Sequence, residues 1–327
     1  MIDLIEIYSN LSSNNNTTEN LFSVEPIPNS LNHKIGITKD GRPLFFVRCM
    51  PENEVNVLDN NLELISVKFN RKCQLRLTSS KNISDYFTII ELLSETSDLQ
   101  EYFIQVIYIL IKEIGDYPTF IQLKNEVDKI VNLFSKFKKV GSKSIQGIWA
   151  ELFIIASSVN PEYLINAWHV SPSDKFDFND GVDKIEVKST SKCYRKHFFS
   201  LEQLNPNSSS HLLIASLYAV QSGVGKSIMD LVELINKKNI SIESSKKIHL
   251  IVGETLGSDI CKISQTYFDF NLALDSLKFY ESECIPKIDA ASIPNEITNV
   301  KFECDISYCQ SLRTVNTNSK LHQALSL

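Results

Sequence analysis

Apolar positions change their period several times along this chain, and each change marks a predicted element. From about residue 21 to 80 they tend to alternate with polar ones, as in half-buried strands. Lys34-Ile35-Gly36-Ile37-Thr38 and Pro43-Leu44-Phe45-Phe46-Val47 flank Lys39-Asp40-Gly41-Arg42. The Asp-Gly pair tolerates positive φ, so this stretch predicts a β-hairpin. Residues 62–69 and 73–78 predict further strands of a small antiparallel sheet. Over 82–115 the spacing of Phe87, Ile90, Leu92 and Leu93, then of Leu99, Phe103, Val106, Ile107 and Leu110, predicts two helices. A third follows over 119–137.

The second half starts with a predicted helix over 144–158, its apolar face made by Ile145, Ile148, Trp149, Leu152 and Phe153, with Glu151 set among them. Residues 166–170 read as a strand entering a sheet. Residues 174–178 and 183–189 read as a hairpin across Asn179-Asp180-Gly181. The nearly unbroken apolar run 211–220 predicts a central strand covered on both faces. A helix over 228–236 and a strand over 248–253 follow. Residues 266–309 predict β-rich packing, and 313–327 a loose polar end. The expected organisation is a β-rich region over 1–80, a helical region over 81–140, an α/β core over 141–265 and a β-rich extension over 266–327.

Composition narrows the class. The 327 residues are 43% hydrophobic and 22% charged with a net charge of −6, as in an ordinary globular protein with room for two domains. Nothing global advertises nucleic-acid binding, so any such binding rests on local basic patches. The seven cysteines include no CxxC pair, which points to free thiols in a reducing compartment. No signal peptide or transmembrane-length apolar run is evident, so the expected location is the cytoplasm, without a membrane. Gly223-Val224-Gly225-Lys226-Ser227 is not a phosphate loop, because Val220 stands where the GxxxxGK(S/T) pattern needs its first glycine.

The chemistry concentrates in the hairpin. In Ile185-Glu186-Val187-Lys188, strand alternation sends Glu186 and Lys188 to one face and Ile185 and Val187 to the other. With Asp177 opposite them, two carboxylates and an amine meet at one end of a sheet. Carboxylate oxygens suit Mg²⁺, and a lysine beside such an ion can orient an attacking water, an arrangement that cleaves phosphodiesters. The plain alternative is a solvated face carrying an ion pair. Glu151 is either solvent-exposed or reaches this site from behind. Gln203, three residues after Ser200, is either a capping-box residue or a contact to substrate or water. Lys138, Lys139 and Lys143 before the helix, and Lys192, Arg195 and His197 after the hairpin, are either solvated or structural groups or contacts to a phosphate backbone.

Taken together, Glu151 on a helix, Asp177, and Glu186-Val187-Lys188 resemble the PD-(D/E)XK nuclease superfamily, which has the restriction-endonuclease-like fold. In particular, the chain is similar to a bacterial family of PD-(D/E)XK motif proteins linked to restriction and defence. Gly147-x-x-x-Glu151-Leu152, Trp168, Asp177-Phe178, Glu186-Val187-Lys188-Ser189-Thr190 and Arg195-x-His197-x-Phe199-Ser200-x-x-Gln203-Leu204 carry that likeness, over about 144–220. Phe176 replaces the proline of the motif's name. The resemblance implies an α/β protein whose restriction-endonuclease-like core has a mixed central sheet flanked by helices, after the β-rich and helical N-terminal region. It implies Asp177 and Glu186 as ligands of Mg²⁺, or of Mn²⁺ in its place, with the Val187 carbonyl completing the set. Lys188 would position water, and Glu151 and Gln203 would support the site. The implied activity is endonucleolytic cleavage of DNA in restriction or anti-phage defence, with a methyltransferase or ATPase as partner and a homodimer as assembly. The alternative is an inactive nucleic-acid-binding or scaffolding subunit of a defence complex.

Overall fold

In a computed structural model, residues 4–18, 21–50, 58–79, 81–137, 144–169, 174–205, 210–263, 265–294, 296–312 and 318–325 are described. They belong to two units, residues 1–140 and 141–327. In the first, helix α1 (Leu4–Ser13) precedes strands β1 (Phe22–Pro26), β2 (Lys34–Ile37), β3 (Pro43–Val47), β4 (Asn60–Asn61), β5 (Ile65–Leu77) and β6 (Asn82–Leu92). Helices α2 (Ser97–Ile114) and α3 (Phe120–Lys136) follow. The strands run in the order β1-β2-β3-β6-β5-β4, and β1 also lies parallel to β5, so five of them close on themselves. Val24, Leu44, Phe46, Cys73, Leu75 and Phe87 are buried together as an apolar cluster, and Phe103 of α2 meets Phe45 edge-on at 5.7 Å.

One expected helix is absent from this unit: residues 82–92 form β6, paired with β3 and β5. Their β-branched residues Ile83, Thr88, Ile89 and Ile90 fit a pleated surface, and the i, i+3 match of Phe87 and Ile90 is incidental. The helical part of 81–140 therefore begins only at α2.

The second unit contains helices α4 (Ile145–Ser157) and α5 (Pro161–Ala167), strands β7 (Phe178–Asn179), β8 (Lys184–Thr190) and β9 (Lys196–Ser200), and the short helix α6 (Leu201–Leu204). Strands β10 (Leu212–Tyr218) and β11 (Gln221–Lys226) come next, then helices α7 (Ile228–Asn236), α8 (Ile242–Leu256) and α9 (Phe270–Ser276). Strands β12 (Lys278–Glu281) and β13 (Lys301–Asp305) and helix α10 (Lys320–Gln323) complete it. A mixed four-stranded sheet runs β12-β10-β8-β7, with β8 and β10 parallel and both outer pairings antiparallel. Its centre, β10, is buried from Leu212 to Leu217. A separate ribbon pairs β9 with β13.

Three expectations change here. Residues 248–253 lie inside α8, whose cap is Ser241 accepting from the Ser244 amide, since a short apolar run does not by itself distinguish strand from helix. Residues 166–169 are the end of α5 and an isolated bridge from Trp168 to Phe178. Residues 266–309 contain α9 as well as strands, and β12 is bonded into the central sheet beside β10. Among the described residues, no helix is long and apolar enough to cross a membrane.

Candidate active site

The hairpin that carries the acidic pair is fixed by its turn. Gly181 adopts φ of 92°, where a side chain would be strained. The Asp180 carboxylate accepts from the amides of Val182 and Asp183 and from the Tyr163 hydroxyl. Burial pushes the Asp180 carboxyl upward, but these donors outweigh it and hold the group below its ordinary range. The register pairs Phe178 with Ile185, so continuing it sets Asp177 opposite Glu186, on the same face of the ribbon. Asp177 Oδ2 accepts from the Val187 amide at 2.8 Å. Both carboxylates are buried, Asp177 at 6% and Glu186 at 4% exposure.

Glu186 and Lys188 share a face, as strand alternation requires: Lys188 Nζ donates to Glu186 Oε1 at 2.7 Å. Gln203 Nε2 donates to the same oxygen, also at 2.7 Å. The lysine lies 5.1 Å from the centre of the Phe199 ring. Gln203 fills both roles open to it. Its Oε1 accepts from the Ser200 amide in a complete capping box while its Nε2 reaches Glu186. Glu186 Oε2 is buried and has no partner among the described residues. A buried carboxylate oxygen left bare is costly unless a cation or donor meets it. Carboxylate oxygens in this state fit a hard divalent cation.

Helix α4 brings Glu151 to the same region. The helix is capped by Ser144 and tied to β8 by Gln146 Nε2 donating to Ser189 Oγ at 3.1 Å. Glu151, 2% exposed, points inward. Its Oε2 accepts from Trp168 Nε1 at 2.8 Å and lies 2.9 Å from His169 Nε2. The His169 amide donates to the Asp177 carbonyl at 2.9 Å. One ligand atom each from Glu151, His169 and Asp177 lie within 4.8 Å of one another. Glu186 is not part of that trio. A cleft of about 540 Å³, lined in part by His169, Asp174, Lys175 and Lys184, opens alongside. His169 was not singled out from sequence; the available signal was its place directly after Trp168, in a polar step before the acidic hairpin.

The basic residues fare differently. Lys192 is exposed and lies over Tyr194. Lys138, Lys139 and Lys143 fall outside the described residues. Arg195 and His197 are buried, which corrects their reading as phosphate contacts. The Arg195 guanidinium donates to the carbonyls of Ser216 and Ser276, and His197 Nε2 meets Ser216 Oγ at 2.9 Å. Burial, then the charges of Lys188 and Arg195, push His197 down to about 4. It is neutral near pH 7 and holds the β9 ribbon to β10.

Set against known proteins, the chain matches the model of a family described as "Putative PD-(D/E)XK family member" (DUF4420) over residues 4–307. No curated protein and no solved structure matches it. The matched span covers nearly the whole chain, and the protein belongs to this family.

Proposed function

Starting from that membership, we propose that the chain is a metal-dependent DNA endonuclease with Asp177, Glu186 and Lys188 at its centre and a restriction-endonuclease-like core around them. The observation that carries the reading is the bare, buried Glu186 Oε2 on the face shared with Lys188, opposite Asp177. Asp177 and Glu186 would hold Mg²⁺, or Mn²⁺ in its place, with the Val187 carbonyl available beside them. When bound, such an ion supplies Lewis-acid stabilisation of charge developing on the phosphoryl oxygens. Lys188 orients the water that attacks phosphorus in line with the leaving oxygen. Gln203 donates to the same Glu186 oxygen as Lys188, which fixes that carboxylate and leaves Oε2 facing outward from both. Glu151 acts further back, holding Trp168 and His169 against the hairpin.

DNA is the proposed substrate, met in part by exposed Lys192, and defence against foreign DNA the proposed setting. A methyltransferase or ATPase as partner and a homodimer as assembly belong to the same proposal. Incubating the purified chain with methylated and unmethylated plasmid, with Mg²⁺, Mn²⁺ or chelator, tests it. Cutting with either metal, abolished by chelator and by Asp177→Ala, is the expected result. Cutting that survives Asp177→Ala would place the activity elsewhere.

A further inference from the structure

We infer that the outer face of β5 and β6 binds a single DNA strand, with phosphates on Lys72 and Arg76 and one unstacked base in the cavity beside them. The inference rests on the proposed nuclease reading for its choice of DNA, and it places a substrate-binding surface in the first unit. The two faces of the β5–β6 ribbon differ in chemistry. Cys73, Leu75 and Phe87 turn into the closed sheet. The alternate positions Lys72, Gln74 and Arg76 therefore point outward, and the register sets them opposite Tyr86, Ser84 and Asn82. All six are exposed. Before the irregularity between Lys68 and Arg71, the same face is apolar and covered, as where Phe69 meets Phe120 of α3 at 5.6 Å.

The positive charge of the strip is uncompensated. The neighbouring acids Asp59 and Asp85 are already paired, with Arg71 at 2.6 Å and Arg48 at 2.9 Å. Lys72 and Arg76 make no ion pair among the described residues. Four residues of strand set the two cations about 14 Å apart, a length that about four stacked nucleotides span. Tyr86, 52% exposed, presents a ring on which a base of an unpaired strand stacks, whereas a duplex keeps its base faces inside. Arg76 also lines a cavity of about 720 Å³, with Ile7, Asn10, Leu11 and Asn14 of α1 and Glu25 of β1. Ile7 and Leu11 suit the faces of a base, and the two asparagine amides suit its edge. Glu25 decides which part of the strand enters: a carboxylate repels a phosphate and accepts from the exocyclic amine of cytosine. The backbone therefore runs outside, along Lys72 and Arg76, and the base turns in.

Fluorescence anisotropy of labelled oligo-dC and oligo-dT with the full chain, in chelator so that nothing is cut, tests this. Wild type should bind oligo-dC about fivefold or more tighter than oligo-dT. Glu25→Ala should erase that ratio, which is the readout because losing a carboxylate raises affinity for any strand. The double variant Lys72→Ala, Arg76→Ala should bind both strands about tenfold or more weakly. Its slope of log affinity against log salt should be smaller by about 1.4, two phosphate contacts on a single strand. Urea midpoints equal to wild type show that the variants are folded. Affinity and slope unchanged in the double variant would overturn the surface, and equal binding of oligo-dC and oligo-dT by wild type would overturn the base in the cavity. Oligo-rC bound about tenfold or more tighter than oligo-dC would overturn DNA as the occupant. Binding lost in the double variant, while wild type cuts no plasmid with either metal, would keep this surface and remove the nuclease reading. Plasmid cutting by wild type, with oligonucleotide binding unchanged in the double variant, would do the reverse.

Discussion

At the scale of single residues, one amide does two jobs. Gln203 caps α6 through its oxygen and holds Glu186 through its nitrogen, and the two functions separate by substitution. Ser200→Ala removes the cap alone and should cost about 1 kcal/mol of stability with little change in cleavage. Gln203→Glu keeps an acceptor for the Ser200 amide but sets a second carboxylate against Glu186. Cleavage should fall at least about tenfold, the size of one lost charge-assisted hydrogen bond. Parallel denaturation curves and cleavage rates of the two variants check this; equal losses of activity in both would make Gln203 a cap only. The acid-x-Lys pair was legible in the sequence because strand alternation alone decides which side chains share a face. His169 was not, because its partner Glu151 lies 18 residues away and meets it only once α4 is laid beside the hairpin.

At the scale of elements, α4 is held by more than its own apolar face. Trp149 Nε1 donates to the Lys226 carbonyl at 2.8 Å, and its ring sits 5.0 Å from Phe268. Strand β11 and Phe268 thus form a clamp on the helix that carries Glu151. The clamp requires Gly225, where an added Cβ would lie 2.1 Å from the Phe268 carbonyl oxygen. Of the glycines that imitate a phosphate loop, Gly225 therefore serves close backbone approach. Gly225→Ala should destabilise the protein by about 1–3 kcal/mol, as overpacking does, whereas Gly223→Ala, with open space around it, should cost about 1 kcal/mol or less. Urea midpoints of the two variants measure the difference, and equal midpoints would dismiss the clamp. The hairpin was readable because turn chemistry and alternation agree within a few residues. Strand β6 and helix α8 were not, since Phe87 with Ile90, and Ile248 to Gly253, each fit either period over so short a window.

At the scale of the whole molecule, both units bury histidines. Burial lowers His33 in the first, and in the second His322, His197 and His249, the last two to about 4. A histidine lowered on folding binds fewer protons in the native chain than in the unfolded one. Its contribution is therefore intact above the unfolded value near 6.5 and is lost as pH falls from there toward 4. Between about pH 7.5 and about pH 5, His197 and His249 should each remove on the order of 2 kcal/mol. Denaturant unfolding across that range should show the decline, and His249→Gln should flatten it; a flat profile in the wild type would contradict the burial of these rings. The sequence could not reveal that β12 completes the sheet of the hairpin, because its pairing with β10 spans more than sixty residues of chain and depends on the tertiary fold.

The account stands or falls on Lys188 and Glu186 acting on phosphodiesters. The direct measurement is the single-turnover rate of DNA cleavage with Mg²⁺ for wild type, Glu186→Gln and Lys188→Met, alongside DNA affinity by fluorescence anisotropy. Losses of about 10²-fold or more in rate, with affinity unchanged within about threefold, are what this geometry predicts. Metal-dependent cleavage by wild type that persists undiminished in both variants would contradict it.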